Sequence, residues 1–239
     1  MPRKSVKILD GLDVNLRFLK EMGVEDIVRT PPPGRSSSAA APRTSDPSKA
    51  VLPAELDDLH KEILACRKCA LGQGRIQAVP GEGDPKAELM FVGEGPGRDE
   101  DEQGRPFVGR AGQLLTKIIA AMGFSRSQVF IANIVKCRPP ENRVPHRGEV
   151  EACTPYLLRQ IEIIRPRVIV TLGKTATDHF LPEATGSMTS IRGRFYDWNG
   201  IRIMPTFHPS YLIRNEGNKT PKKMVWDDMK LVMALLGGK

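Results

Sequence analysis

The feature that most constrains the fold of this 239-residue chain is a regular alternation of short apolar runs with longer helical patterns. Four short runs have the β-branched and aromatic side chains typical of buried strands, and they cover residues 88–92, 129–133, 167–172 and 201–207. Apolar residues recur at helical spacing between or after these runs, over residues 112–122, 147–164, 174–181 and 221–236. Because parallel strands need long crossover connections, this order predicts an α/β fold with a central four-stranded parallel sheet flanked by helices.

Polar or glycine-rich residues follow directly after each of the four predicted strands. The segment GEGPG follows the first strand, Asn133 closes the second, LGK follows the third and His208 follows the fourth. In open α/β sheets, ligands bind beyond the carboxyl ends of the strands. We therefore expect the four features to form one functional site at that edge of the sheet.

Composition and charge narrow the class of protein. Hydrophobic residues make up 40% of the chain, which is enough for a packed core. The formal charge of +8 favours a polyanionic partner through counterion release, although many basic proteins bind no nucleic acid. No apolar run approaches the roughly 18 residues of a membrane span, and the N-terminus lacks the pattern of a signal peptide. We therefore expect a cytoplasmic protein, in which thiols stay reduced.

The first fifty residues differ in composition from the rest. Apolar residues at near-helical spacing over residues 6–28 predict a short amphipathic helix. Residues 30–50 are dense in Pro, Ser and Ala, which predicts a flexible linker. We therefore divide the chain into an N-terminal arm, residues 1–50, and a catalytic domain, residues 51–239. The arm has the layout of a tethered peptide that recruits a protein partner.

The chain has four cysteines, Cys66, Cys69, Cys137 and Cys153. In a reducing compartment they favour metal ligands or buried apolar side chains over disulfides. The two-residue gap between Cys66 and Cys69 lets both thiolates reach one centre, and the start of a predicted helix near Cys153 favours its thiolate. The second short Cys-x-x-Cys pair of a zinc ribbon is missing. These residues alone leave open a tetrahedral zinc, a four-iron cluster and four structural thiols.

Six segments carry a resemblance to a known family. They are CRKC, VPGEGDPKAELMFVGEGPG, GRPFVGRAG, ANIVKCRPPENR, EACTPYLLRQIEIIRPRVIVTLG and PTFHPSYLIRN. In this order and spacing, residues 64–236 resemble the family 4 uracil-DNA glycosylases, the iron–sulfur type of bacteria and archaea. The resemblance implies the three-layer sandwich of that superfamily. It also implies a monomeric hydrolase that flips uracil out of DNA, cleaves its N-glycosidic bond and leaves an abasic site, acting at the nucleoid of a bacterial cytoplasm.

The resemblance also assigns a cofactor and the residues that contact the base. It makes the four cysteines ligands of a [4Fe–4S] cluster that clamps loops near the DNA-binding face rather than carrying electrons. It implies that Phe107 stacks on uracil, Asn133 reads the polar edge of the base and His208 hydrogen-bonds uracil O2. Taken alone, Phe107 would more often be a core residue, His208 a turn residue and Asn133 a strand-end cap.

The loop after the first strand departs from other branches of the superfamily. In the resemblance, Gly93, Glu94 and Gly95 lie beside the sugar and the attacking water. Other branches place an aspartate at the position of Gly95, so here no such general base orients the water. The bond is then expected to break largely dissociatively, with Glu94 and backbone groups holding the water. Glu100, a few residues further on, is a candidate for excluding the methyl group of thymine.

Three arginines are candidate contacts to DNA phosphates. Arg192, Arg194 and Arg214 fall near the predicted strand ends, where the duplex would lie, and the less favoured alternative is that they are ordinary solvated charges.

Two other functions fit part of the pattern. The DNA-crosslinking branch of the superfamily uses a histidine in an inserted basic loop, but this chain runs from Lys136 directly into CRPPENR, and we expect His146 in a surface loop. A noncatalytic four-cysteine DNA-binding module would not need Phe107, Asn133 and His208 together at strand ends.

Overall fold

The computed structural model describes residues 54–237 and two short strands near the N-terminus, β1 (Val6–Lys7) and β2 (Ile27–Val28), which pair in parallel. These strands lie at the two ends of residues 6–28, the segment for which we expected a helix. The residues between them, and the linker over residues 30–50, lie outside the described residues, so the helix and the linker stay predictions. In the described part of the chain, no helix combines the length and apolarity needed to cross a membrane.

A six-stranded sheet forms the centre of the domain. Its strands are β3 (Glu82–Gly83), β4 (Leu89–Gly93), β5 (Phe130–Asn133), β6 (Val168–Leu172), β7 (Tyr196–Trp198) and β8 (Ile201–Thr206). They lie in the order β3-β5-β4-β6-β8-β7. The four central strands run parallel, which confirms the predicted sheet. Both edge strands are antiparallel and were not predicted, because two or three residues are too short to carry an alternating pattern.

The described residues also contain nine helices and two 3₁₀ turns, Arg126–Gln128 and Pro140–Asn142. The helices are α1 (Ala54–Ala65), α2 (Leu71–Gly74), α3 (Arg98–Gln103), α4 (Arg110–Ala121), α5 (Arg147–Ile164), α6 (Lys174–Phe180), α7 (Met188–Ile191), α8 (Pro209–Arg214) and α9 (Lys219–Leu235). The four predicted helices are α4, α5, α6 and α9. Each begins and ends within about two residues of its predicted bounds, because their apolar stripes face the sheet.

The sheet separates two hydrophobic cores, as the alternation of side chains along β4 requires. Leu89 and Phe91 pack on one face with α4 and α9, whereas Met90 and Val92 pack on the other with α1 and α5. All four side chains are buried, and burying one such side chain stabilises the fold by about 1.5–3 kcal/mol. The result is a three-layer sandwich, the architecture expected from the resemblance.

Backbone hydrogen bonds continue beyond the strands and hold the loops that follow them. The N–H of Ile134 donates to Gly93 O at 2.9 Å, and the N–H of Val135 donates to Glu94 O at 3.2 Å. The N–H of Gly173 donates to Thr206 O at 2.9 Å. The loops at the carboxyl edge of the sheet are therefore extensions of its ladder.

Candidate active site

Gly93, Phe107, Asn133 and His208 converge at the carboxyl edge of the sheet, and we call this set the base pocket. Gly93 pairs in register with Asn133 at the ends of β4 and β5. A Cβ added at Gly93 would lie 2.5 Å from Asn133 Oδ1 and 2.5 Å from Phe107 Cζ. The rings of Phe107 and His208 lie 5.7 Å apart at 35°. The structure therefore brings together the three side chains that the resemblance assigned to the base.

The Asn133 side chain is buried with an unsatisfied acceptor. It is 1% exposed, and its Oδ1 atom makes no hydrogen bond within the described residues. Leaving a buried acceptor unpaired costs about 1–3 kcal/mol. A flat ligand with an N–H group, placed against Phe107, would satisfy this acceptor.

The contacts of His208 fix its protonation state. It caps the N-terminus of α8, and its Nδ1 atom accepts a hydrogen bond from the backbone N–H of Ser210 at 3.1 Å. A backbone N–H can only donate, so the ring proton sits on Nε2. Burial, with a smaller contribution from the charge of Arg214, lowers the pKa of His208 to about 4. At neutral pH, His208 is therefore a neutral donor through Nε2–H.

Gly173, the glycine of the LGK segment, lets His208 approach the sheet. A Cβ at Gly173 would lie 3.1 Å from the Cβ of His208, and the φ of +89° is one that glycine adopts readily. The feature that follows the third strand thus contributes space rather than a functional group.

Glu100 binds backbone groups around the segment that carries Phe107. Its Oε1 atom accepts the N–H groups of Val108 and Gly109, both at 2.9 Å, and its Oε2 atom accepts the N–H of Gly97 at 3.1 Å. These three bonds use both carboxylate oxygens. Glu100 was expected to exclude the methyl group of thymine, but its contacts favour a role in holding the segment 106–109, which we call the Phe107 loop.

Glu94 and Gly95 lie where β4 leaves the sheet. Both are half-buried, and the Glu94 carbonyl accepts the N–H of Val135. A Cβ at Gly95 would lie 2.8 Å from Val135 Cγ2, so an aspartate at this position would require the Val135 side chain or the loop to shift. Among the described residues, no hydrogen bond or ion pair holds the Glu94 carboxylate, which leaves it available to a ligand.

The four cysteines line one small cavity together with Arg75 and Lys136, and we call it the cysteine cavity. All four are free of disulfides, and Cys137 and Cys153 are buried. Arg75 Nη1 donates to Cys137 Sγ at 2.9 Å, and the N–H of Lys136 donates to Cys153 Sγ at 3.2 Å. Burial raises the pKa of Cys153 to about 11, with Lys136 opposing the rise, so an added cation would be needed to hold its thiolate.

Within residues 54–237, no three histidine, cysteine, aspartate or glutamate side chains are placed to hold a single metal ion. Four thiols that line one space are ligands of the type that both zinc and iron–sulfur clusters take.

The three candidate arginines have different surroundings. The guanidinium of Arg192 donates through Nε to Asp228 Oδ2 at 2.9 Å, in an ion pair whose aspartate is fully buried. These bonds occupy Arg192 inside the protein, so its contact with a phosphate stays a prediction. Arg194 is exposed and lies over the ring of Tyr196, 5.0 Å from its centroid. Arg214 is exposed, and its charge acts on His208, so of the three it is the one we associate with the base pocket.

His146 was expected in a surface loop, and it is exposed as the loop residue that caps the N-terminus of α5. Its backbone N–H donates to Glu149 Oε2 at 2.7 Å.

Two charged residues around the site were not predicted from the sequence. Lys136 is 1% exposed, and its ammonium group donates to Asn133 O at 2.8 Å and to Gln160 Oε1 at 2.7 Å. In the sequence, Lys136 stands between the apolar end of a predicted strand and Cys137, and this position could have indicated a buried charge. Arg126, on the turn before β5, donates to Phe107 O at 3.0 Å, and no sequence pattern pointed to it.

Comparison with known proteins identifies the family. The model of the uracil DNA glycosylase superfamily matches residues 80–230. A type-4 uracil-DNA glycosylase of Sulfurisphaera tokodaii is 48% identical over 188 residues, which cover 75% of this chain and 84% of that protein. Proteins of the same name from Saccharolobus solfataricus and Thermotoga maritima are each 47% identical, over 77% and 73% of this chain and 88% and 91% of their own. This chain belongs to the type-4 uracil-DNA glycosylases.

Proposed function

We propose that the protein excises uracil from DNA by hydrolysis and leaves an abasic site, the first step of base excision repair. The observation that carries this proposal is the buried, unsatisfied Oδ1 atom of Asn133, which lies beside the ring of Phe107 at the end of the central sheet. Three relatives that share 47–48% identity with this chain bear the name of that activity.

Binding begins with extrusion of the nucleotide. The glycosidic bond is shielded inside the duplex, and unstacking a base costs a few kcal/mol. Stacking on an aromatic side chain is worth roughly 1–3 kcal/mol per base, so the ring of Phe107 would offset part of that cost. We assign Phe107 as the surface on which the extruded base rests.

Asn133 would then select uracil. Its amide offers one acceptor and one donor, which complement the N3–H and O4 of uracil. Cytosine presents an acceptor at N3 and a donor at N4, so the same amide would face two mismatched groups. The wrong base would leave buried polar atoms unpaired, at about 1–3 kcal/mol for each.

His208 would stabilise the leaving base. When the bond between C1′ of the sugar and N1 of uracil breaks, its electron pair moves onto the base and negative charge develops at O2. The Nε2–H of neutral His208 is a donor for that oxygen, held in place by the bond from Ser210 to Nδ1. Donors of this kind contribute roughly 2.7–4 kcal/mol to transition-state stabilisation.

Water completes the reaction at C1′ of the sugar. Gly95 stands where other branches of the superfamily carry an aspartate, so we propose that the bond breaks before the water attacks. The Glu94 carboxylate, which lacks a partner among the described residues, would hold that water and take up its proton.

We propose that the cysteine cavity holds a [4Fe–4S] cluster. The four thiols Cys66, Cys69, Cys137 and Cys153 would be its ligands, with Arg75 and Lys136 as cationic neighbours. When bound, the cluster supplies a structural crosslink. It would join α1, the loop after β5 and α5, and would thereby fix the loop that follows Asn133.

DNA binding and location complete the proposal. We propose that Arg214 contacts a phosphate near the extruded nucleotide and that Arg194 contributes at longer range. The net charge of +8 favours such contacts. We further propose that the protein acts as a monomer in the cytoplasm, at the nucleoid if the source is bacterial, and that the arm, residues 1–50, binds a protein partner.

An excision assay tests the proposed function. The full chain is incubated with a labelled oligonucleotide that carries one uracil, and alkali then cleaves any abasic site. Matched oligonucleotides carry thymine or cytosine at the same position. We expect cleavage at uracil alone. Binding without release of uracil would contradict the proposal and favour a noncatalytic DNA-binding module, and a covalent protein–DNA product would favour the crosslinking branch.

A further inference from the structure

The guanidinium of Arg126 contacts the Phe107 loop from its carbonyl side. Nη1 donates to Phe107 O at 3.0 Å, and Nη2 donates to Pro106 O at 2.7 Å. Nη1 also donates to Thr116 Oγ1 at 3.0 Å, while Nε and Nη2 donate to Glu82 Oε1 at 2.9 and 2.5 Å. All five guanidinium N–H donors are therefore used. The side chain is 18% exposed, so these bonds are largely shielded from water.

The backbone of Phe107 has an unfavourable conformation, which contacts such as those of Arg126 can stabilise. Its φ of 52° lies in the left-handed region, which is unfavourable for an aromatic residue. The loop is also pressed against α4, because a Cβ at Gly112 would lie 1.9 Å from Phe107 O. Glu100 accepts the N–H groups of Val108 and Gly109 on the amide side of the same loop.

We propose that Arg126 is a positioning residue that holds the Phe107 ring in the orientation needed to stack on extruded uracil. This inference rests on the proposed function. Arg126 acts through Phe107, since its contacts reach the loop backbone. A planar guanidinium can bind two carbonyls and a carboxylate together, which an ammonium group cannot do with the same geometry.

Glu82 orients the guanidinium. It lies on β3, the short antiparallel edge strand, in register with Ile131 of β5. The short strand β3 therefore places a carboxylate beside the Phe107 loop.

Arg105 provides a matched control. It donates to Glu82 through Nε at 2.8 Å and through Nη2 at 3.3 Å, and its side chain is 60% exposed. Among the described residues, it donates no hydrogen bond to the loop carbonyls. The variant Arg105→Gln therefore removes an ion pair of Glu82 without releasing Phe107.

A double-mutant cycle tests the inference. Single-turnover excision of uracil and DNA affinity are measured for wild type, Arg126→Gln, Arg105→Gln, Phe107→Ala and the Arg126→Gln/Phe107→Ala double variant. We expect Arg126→Gln to lower the excision rate by about 10-fold to 100-fold, the range of a lost base–aromatic stack. In the Phe107→Ala background, the same change should have almost no further effect. Arg105→Gln should stay within about twofold of wild type.

Independent effects of Arg126 and Phe107, or equal losses in Arg126→Gln and Arg105→Gln, would overturn the inference. If Arg126→Gln does not fold, Arg126→Lys replaces it in the same cycle, with a smaller expected loss. Failure of Arg126→Lys to fold would assign the residue to stability alone.

Amide hydrogen exchange separates this inference from the proposed function. The amides of Phe107, Val108 and Gly109 should exchange faster in Arg126→Gln than in Arg105→Gln, whether or not the wild type releases uracil. If exchange at the loop is unchanged, Arg126 does not position it. If exchange rises but the wild type leaves uracil in place, the proposed function fails, whereas the role of Arg126 in holding the Phe107 loop stands.

Discussion

His208 is a residue whose chemistry is fixed by its neighbours. Because its pKa falls from 6.5 to about 4 on burial, the ring stays neutral between these values. We expect the single-turnover excision rate to show no loss of His208 function as pH falls from 6.5, and a loss only near 4. An acid limb centred near 6.5 in the rate, assignable to His208 by its absence in His208→Ala, would contradict the neutral-donor assignment.

The lowered pKa of His208 also makes the free energy of unfolding depend on pH. An unfolded His208 takes up a proton near pH 6.5, whereas the folded one does so near 4. The folded state therefore loses stability as pH falls between these values and keeps it above 6.5.

Gly93 has no side chain to fill the space where the edge of the extruded base would lie. In Gly93→Ala, the new methyl group would lie 2.5 Å from both Asn133 Oδ1 and Phe107 Cζ. We expect excision to fall by about 100-fold or more, as for a misplacement of about 1 Å at a reacting site. Single-turnover kinetics and thermal melting measure the effect. The control is Gly148→Ala in α5, whose Cβ would meet no atom within 4 Å. Equal activity of the two variants would show that Gly93 does not border the pocket.

Residue roles were predictable to different degrees. Phe107, Asn133 and His208 were assigned through the resemblance and converge in the structure. Arg126 and Lys136 were not predicted, because both bind backbone carbonyls that come close only in the folded chain. The ion pair of Arg192 was not predicted either, because its partner Asp228 lies 36 residues away in sequence.

At the scale of elements, α3 joins the cysteine cavity to the base pocket. Asp101 Oδ1 accepts the N–H of Ile76 at 3.0 Å, in the segment where Arg75 contacts Cys137. The adjacent Glu100 binds the Phe107 loop. Two neighbouring carboxylates on one short helix therefore tie the two loops together.

Glu100→Gln tests this connection. The amide nitrogen of Gln would face a backbone N–H that the carboxylate now accepts, so the Phe107 loop should loosen. We expect about a tenfold loss of uracil excision, with the visible absorption of the protein unchanged. The matched control is Glu102→Gln on the same helix, whose carboxylate makes an exposed pair with Arg98. New excision of thymine by Glu100→Gln would instead support methyl exclusion.

The long elements were predictable and the short ones were not. The central strands and the helices α4, α5, α6 and α9 follow from apolar patterns that persist over several residues. The sequence of α3, RDEDEQ, has no apolar stripe. It is held by side-chain bonds to distant loops, which no local pattern reveals.

At the scale of the whole molecule, the cysteine cavity links segments far apart in the chain. We expect the purified protein to be brown, with a broad visible absorption. Cys137→Ser should bleach it and lower the melting temperature, because Cys137 is 6% exposed between the sheet and the cavity. Metal analysis and absorption spectra measure the outcome. A colourless, active protein with one zinc per chain would contradict the cluster.

The central claim is that this fold delivers a neutral histidine to the oxygen where charge develops on uracil. The most direct test is single-turnover excision by His208→Ala, with binding of the same uracil oligonucleotide measured separately. A donor that acts in the transition state lowers the chemical rate and leaves ground-state binding nearly intact. We predict a rate about 10²–10³-fold below wild type with little change in affinity. Excision by His208→Ala at nearly the wild-type rate would contradict the account.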